Sequence, residues 1–143
     1  MAGDRWLGIS LLVAFAGCGD PAPQYESGRS AAELGREVYV RHCLGCHQAD
    51  GSGVPGLYPP LAKTEWVLGD KDRLIRVLLQ GLSGKIEVNG EIYNQEMASS
   101  GFLEDEEIAG VLTYIRTSFG NRGDGISSSE VASVRARIGQ NEQ

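Results

Sequence analysis

The sequence predicts a mainly α domain, with one small β-hairpin ahead of a loop that carries a methionine. Three observations support this. Apolar residues recur at helical spacing in Leu74, Ile75 and Leu78, and again in Ile108, Val111, Leu112 and Ile115. Capping-box patterns precede apolar runs, as in Ser30-Ala31-Ala32-Glu33 and Ser127-Ser128-Ser129-Glu130. One alternating stretch is divided by Asn89-Gly90, which supplies the two positive-φ residues of a type I′ turn. A chain of 143 residues, 41% apolar and 22% charged, suffices for one modest domain.

The N-terminus reads as a segment to be removed. Arg5 precedes the apolar run Trp6 to Phe15, and the small residues Ala16-Gly17 precede Cys18. The run is too short to span a bilayer as a mature helix, so residues 1–17 are expected to be a signal peptide. Cysteine directly after Ala-Gly resembles the bacterial lipobox, in which that cysteine is lipidated and becomes the new N-terminus. The alternative is ordinary secretory cleavage that leaves Cys18 a stray thiol. After Cys18 comes a flexible linker through residue 29, with two prolines, two glycines and almost no apolar content.

The first helix starts at the Ser30 cap, presents Leu34, Val38 and Tyr39, and runs toward Cys43, with Gly35 permitting close approach of another backbone. A loop follows His47, through Asp50-Gly51-Ser52-Gly53-Val54-Pro55-Gly56 and then Tyr58-Pro59-Pro60-Leu61. The next helix spans about Lys71 to Gln80, capped by Asp70 and stopped by Gly81. Ile86-Glu87-Val88 and Glu91-Ile92-Tyr93 are the hairpin strands. The strongest helix runs from Glu104 to about Phe119, with acids in its first turn where the helix dipole favours them. A short last helix carries Val131, Val134 and Ile138. The expected division is a domain over residues 30–120 and a C-terminal extension over 121–143.

Thirteen basic and nineteen acidic residues give a net charge of −6. Without a basic cluster the chain is a poor candidate for nucleic-acid binding.

Cys43-Leu44-Gly45-Cys46-His47 is the spacing that attaches c-type haem. On a helical turn, positions i, i+3 and i+4 share a face, so two thiols reach two vinyl groups while the imidazole reaches the iron. A zinc site would need a fourth ligand, and the only other histidine, His42, is poorly placed to close a tetrahedron. A thioredoxin-like disulfide would sit in a βαβ context that this pattern lacks. One covalent haem c is therefore expected, held by Cys43 and Cys46 with His47 as one axial ligand.

Nitrogen and sulfur side chains are the usual partners for the other axial position. His42 adjoins the motif and cannot reach the opposite porphyrin face, and Met1 leaves with the signal peptide. Met97 remains, on a loop of small and polar residues. A core-filling role is the common alternative for methionine. A ligating histidine generally donates its other N–H to a carbonyl or carboxylate, and the Tyr58-Pro59-Pro60-Leu61 turn is the expected acceptor.

Over roughly residues 30–120 these features resemble the class I bacterial cytochromes c. The match lies in Gly35 and Tyr39 ahead of the CxxCH, the Pro-x-Leu turn, the late Met97 and the closing helix with Tyr114. The resemblance implies the class I cytochrome c fold, with helices packed around the haem, and Gly35 and Tyr39 packed where the first helix crosses the closing one. By register it implies Pro59, rather than Pro60, as the carbonyl partner of His47. The stretch from Tyr58 through Trp66-Val67, Gly81-Leu82-Ser83-Gly84 and Met97 to Arg116 further resembles cytochrome domains that accompany quinoprotein dehydrogenases or other periplasmic redox enzymes. Those usually have proline after the ligand methionine, where this chain has Ala98. Trp66, Arg73 and Tyr93 are candidates for covering or hydrogen-bonding the propionates.

The expected function is single-electron transfer in a bacterial envelope, facing the periplasm and lipid-anchored through Cys18. Its expected partners are redox proteins: a dehydrogenase, a reductase or a terminal oxidase. A relay subunit within a dehydrogenase or reductase complex is the alternative. A haem enzyme or gas sensor would require a vacant or weakly held sixth position.

Overall fold

The computed structural model describes residues 30–141. The signal peptide, Cys18 and the whole linker reading lie outside the described residues. Helix α1, Ala31–His42, begins at a reciprocal capping box: the Ser30 hydroxyl accepts from the Glu33 amide at 3.2 Å, and the Ser30 amide donates to the Glu33 carboxylate at 2.7 Å. Cys43 ends α1 and opens the single turn α2, Leu44–His47. A short helix α3, Glu65–Leu68, was not expected from periodicity; four residues are too few to show one, and its signal is the Thr64 hydroxyl capping the Val67 amide at 3.2 Å.

Helix α4 spans Lys71–Gln80, capped by Asp70 and halted at Gly81, whose φ of 79° continues no helix. Strands β1, Ile86–Val88, and β2, Glu91–Tyr93, pair antiparallel with Ile86 opposite Tyr93. Asn89 and Gly90 both have positive φ, as the turn type demands. Helix α5, Asp105–Thr117, follows a cap at Glu104 and stops two residues before Phe119, whose φ is 58°. Helix α6, Ser128–Asn141, is fourteen residues long, more than the short helix expected.

The core lies where α1, α4, α5 and α6 meet. Val38, Ile75, Ile108, Val111, Leu112, Val131 and Val134 are essentially inaccessible to solvent. Each such aliphatic side chain contributes about 1.5–3 kcal/mol on burial. The segment read as an extension thus supplies Ile126, Val131 and Val134 to the same core. Helices α1 and α5 make the most extensive packing in the molecule, and they approach at Gly35 and Gly110. A Cβ placed on Gly35 would fall 1.9 Å from the Gly110 carbonyl oxygen. Tyr39, Tyr114 and Phe119 form a cluster beside this crossing, with centroids 5.3–5.6 Å apart. Among the described residues no helix is long and apolar enough to cross a membrane.

Candidate functional site

The α2 turn places the motif on one side of a cleft. Its amides bond back to Cys43 and Leu44, with His47 N to Cys43 O at 2.9 Å and Gln48 N to Leu44 O at 3.0 Å. At Gln48 the backbone turns to φ 64° and the chain leaves the helix. Cys43 is partly buried and Cys46 is exposed, and no disulfide joins them. Before haem is attached, burial, and secondarily Cys46, pushes the Cys43 thiol up to about 11.

His47 is buried, 8% exposed, and its Nδ1 lies 3.0 Å from the Pro59 carbonyl oxygen. A carbonyl only accepts, so Nδ1 carries the proton and the Nε2 lone pair is left free for a metal. Burial lowers the imidazole pKa against the opposing pull of that carbonyl, which keeps the ring neutral, the form that ligates.

The segments on either side of Pro59 are tied down by hydrogen bonds of their own. Leu61 N donates to Gly51 O at 2.8 Å, and Gly53 N donates to His47 O at 3.1 Å. The buried Asn121 side chain donates to Leu61 O at 3.0 Å and Ile115 O at 2.8 Å, and accepts from Lys63 N at 2.6 Å. Arg116, also buried, donates to Val67 O at 2.6 Å and Asp124 O at 2.7 Å. Sequence reading missed both. The signal available was a polar residue on a face otherwise apolar: Arg116 is one turn from Leu112.

Met97 stands across a bridge with Leu82, each amide donating to the other's carbonyl at 2.9 Å. The same loop is tied to the end of α4 by Ser100 N to Leu78 O at 2.7 Å and Ser99 Oγ to Leu79 O at 2.6 Å. Gly81 makes room for it, since a Cβ there would meet the Met97 carbonyl at 2.5 Å. These bonds fix the loop without a proline at Ala98.

Cys43, Cys46, His47, Pro59 and Met97 all line one cleft of about 400 Å³. Its remaining wall is largely aliphatic, from Leu74 and Leu78 of α4 and Leu112 and Ile115 of α5. An apolar cleft with two thiols, a neutral imidazole and a thioether on its walls suits a flat apolar macrocycle with a metal at its centre. Among the described residues no group of three or more His, Cys, Asp or Glu is arranged to hold a metal ion, which leaves a zinc site at the motif without its further ligands.

Trp66 and Tyr93 line the cleft as well. Trp66 donates from Nε1 to Glu87 O at 2.8 Å, and Tyr93 donates its hydroxyl to the Glu91 carboxylate at 2.8 Å. Arg73 pairs with Glu65 at 2.6 Å and stacks over Trp66 at 4.7 Å. His42 is exposed and packs edge-on against Phe102.

The model of the cytochrome c family matches residues 32–119. Cytochrome c-552 of Thermus thermophilus is 48% identical over 91 residues, which cover 61% of this chain and 69% of that protein. The cytochrome c subunit of the alcohol dehydrogenase (quinone) of Gluconacetobacter polyoxogenes is 32% identical over 114 residues, 76% of this chain. That of the gluconate 2-dehydrogenase of Pantoea cypripedii is 34% identical over 110 residues, 73% of this chain. The aligned part is 24% of the length of each dehydrogenase subunit. With its attachment motif, buried imidazole and aliphatic cleft so disposed, the chain belongs to the cytochrome c family, with covalent haem c as its cofactor and electron transfer as its function.

Proposed function

We propose that this protein is a single-electron carrier of a bacterial envelope, in which Cys43 and Cys46 bind haem through thioethers and His47 and Met97 are the axial ligands. The observation that carries the reading is the cleft itself, which collects all four side chains, with His47 oriented by Pro59. The bound group supplies a one-electron iron couple. The protein's part is to hold that couple in place. Asn121 and the 59–63 segment orient the imidazole, and the Leu82 bridge holds the thioether. Leu74, Leu78 and Leu112 keep water from the iron. A neutral thioether favours the reduced metal and raises the potential relative to a second imidazole. With His47 and Met97 both holding the iron, the chain would perform no bond chemistry of its own and would exchange single electrons with a redox partner.

The Ala16-Gly17-Cys18 sequence supports lipid attachment at Cys18 and a position facing the periplasm. A second reading, a relay subunit of a dehydrogenase complex, is favoured by the similarity to the two dehydrogenase cytochrome subunits.

The test is spectroscopic. Ferric protein should show the weak sulfur-to-iron charge-transfer band at long wavelength, and Met97→Ala should abolish it and admit cyanide. Rapid carbon monoxide binding by the ferrous wild type would reject the ligand and favour an enzyme or sensor.

A further inference from the structure

Helix α6 reaches the methionine loop through one side chain. Arg135 donates from Nε to the Asp105 carboxylate at 2.8 Å, from one terminal nitrogen to Gly101 O at 2.8 Å, and from the other to Leu103 O at 2.9 Å. Its three acceptors sit at alternate positions of the turn that carries the chain from the Met97 loop into α5. Helix α6, which supplies Arg135, lies beyond the family match, which ends at residue 119.

The loop from Met97 to Gly101 is therefore gripped at both ends. At one end the Leu82 bridge holds Met97, and at the other Arg135 holds Gly101. Between them Ser99 and Ser100 are bonded to the last turn of α4. The Gly101 amide also donates to the Ser99 hydroxyl at 3.0 Å, so the Arg135 grip continues into the bonds that fix Ser99. A planar guanidinium with rigidly forked donors holds two carbonyls and a carboxylate in one fixed arrangement, which an ammonium on a flexible stem does not.

We infer that Arg135 is a positioning residue for the distal ligand, setting how readily Met97 leaves the iron by controlling the opening of the 97–103 loop. The inference rests on the reading of Met97 as ligand given above. Displacing a thioether needs the loop to swing away, which is a local unfolding event with its own free energy. Arg135 contributes only to the closed loop, because its three acceptors separate when Gly101 and Leu103 move. The first half of the helix that carries it is fixed independently by Val131 and Val134 in the core.

The experiment compares ferric holoprotein of the wild type, Arg135→Met, Arg135→Lys and Val134→Ala. Two quantities are followed: the rate of cyanide binding at saturating cyanide, and the loss of the sulfur-to-iron band in denaturant beside the far-ultraviolet circular dichroism. Arg135→Met should speed cyanide entry by at least about tenfold, the scale of losing charge-assisted hydrogen bonds. It should also lose the band at a denaturant concentration below that of global unfolding. Arg135→Lys should fall between it and wild type, and it serves alone if Arg135→Met does not fold. Val134→Ala empties core volume on the same helix, so it should lower global stability while band and helix signal are lost together. A cyanide rate in the Arg135 variants equal to that of Val134→Ala, with coincident loss of band and helix, would overturn the inference. A wild type without the band would instead reject Met97 as the ligand, which separates the two failures.

Discussion

Substituting alanine at Gly35 tests the packing that positions the haem motif. The added Cβ would lie 1.9 Å from Gly110 O, 2.3 Å from Gly110 C and 2.8 Å from Val111 N. All three are backbone atoms of α5, so no side-chain rotation relieves the clash, and real Cβ contacts below 3.0 Å are essentially unknown. Helices α1 and α5 must separate by about 1 Å or more, loosening contacts along the largest helix–helix interface of the molecule. Overpacking typically costs about 1–3 kcal/mol, and a backbone-on-backbone clash belongs at the top of that range. For a domain of this size about 3 kcal/mol lowers Tm by roughly 10–20 °C. Gly45→Ala is the control, because nothing lies within 4 Å of a Cβ there and the residue is helical; alanine should be neutral or stabilise by up to about 1 kcal/mol. The assay is denaturant unfolding of the holoprotein followed by circular dichroism. A Gly35→Ala loss below about 1 kcal/mol, or one matched by Gly45→Ala, would refute the argument that this crossing admits no side chain.

Three further outcomes are expected. Asn121→Ala removes three hydrogen bonds at a buried site, two of them to carbonyls, and should cost about 2–4 kcal/mol in unfolding experiments; a loss within error of zero would mean the 61–63 segment does not depend on it. The Glu130 carboxyl is held below the usual range, chiefly by the Ser127 amide and then by its hydroxyl. Because the folded pKa is the lower one, its contribution is present above the ordinary glutamate range and lost as pH falls through the depressed value. The stability advantage of wild type over Glu130→Gln should therefore be greatest near neutrality and shrink in acid, and a pH-independent difference would contradict the assignment. Finally, mass spectrometry should find acyl chains on the mature N-terminus at Cys18, and Cys18→Ser should release the protein from the lipid-modified fraction without altering its visible spectrum.

Local chemistry made much of the molecule legible in the linear sequence. Helix starts at Ser30, Asp70 and Glu104, the stop at Gly81 and the turn at Asn89-Gly90 each depend on residues within a few positions, so pattern alone places them. The CxxCH spacing is equally local, because one helical turn carries both thiols and the imidazole. Elimination among few donors points to Met97, which lines the cleft, and register within a resemblance points to Pro59, whose carbonyl meets His47. What the sequence alone did not contain was whatever depends on approach between distant segments. Helix α3 is too short for periodicity to mark it, and the part that α6 takes in the core is visible only against α4 and α5. Asn121, Arg116 and Arg135 are ordinary polar residues in the sequence. Apart from the Asp105 carboxylate, their acceptors are main-chain carbonyls up to 60 positions away, which every residue offers and no pattern marks. The sequence by itself determined which groups could bind the cofactor. Only the tertiary structure decided how the loops bearing them are held, because a hydrogen bond to a carbonyl is specified by place and not by residue type.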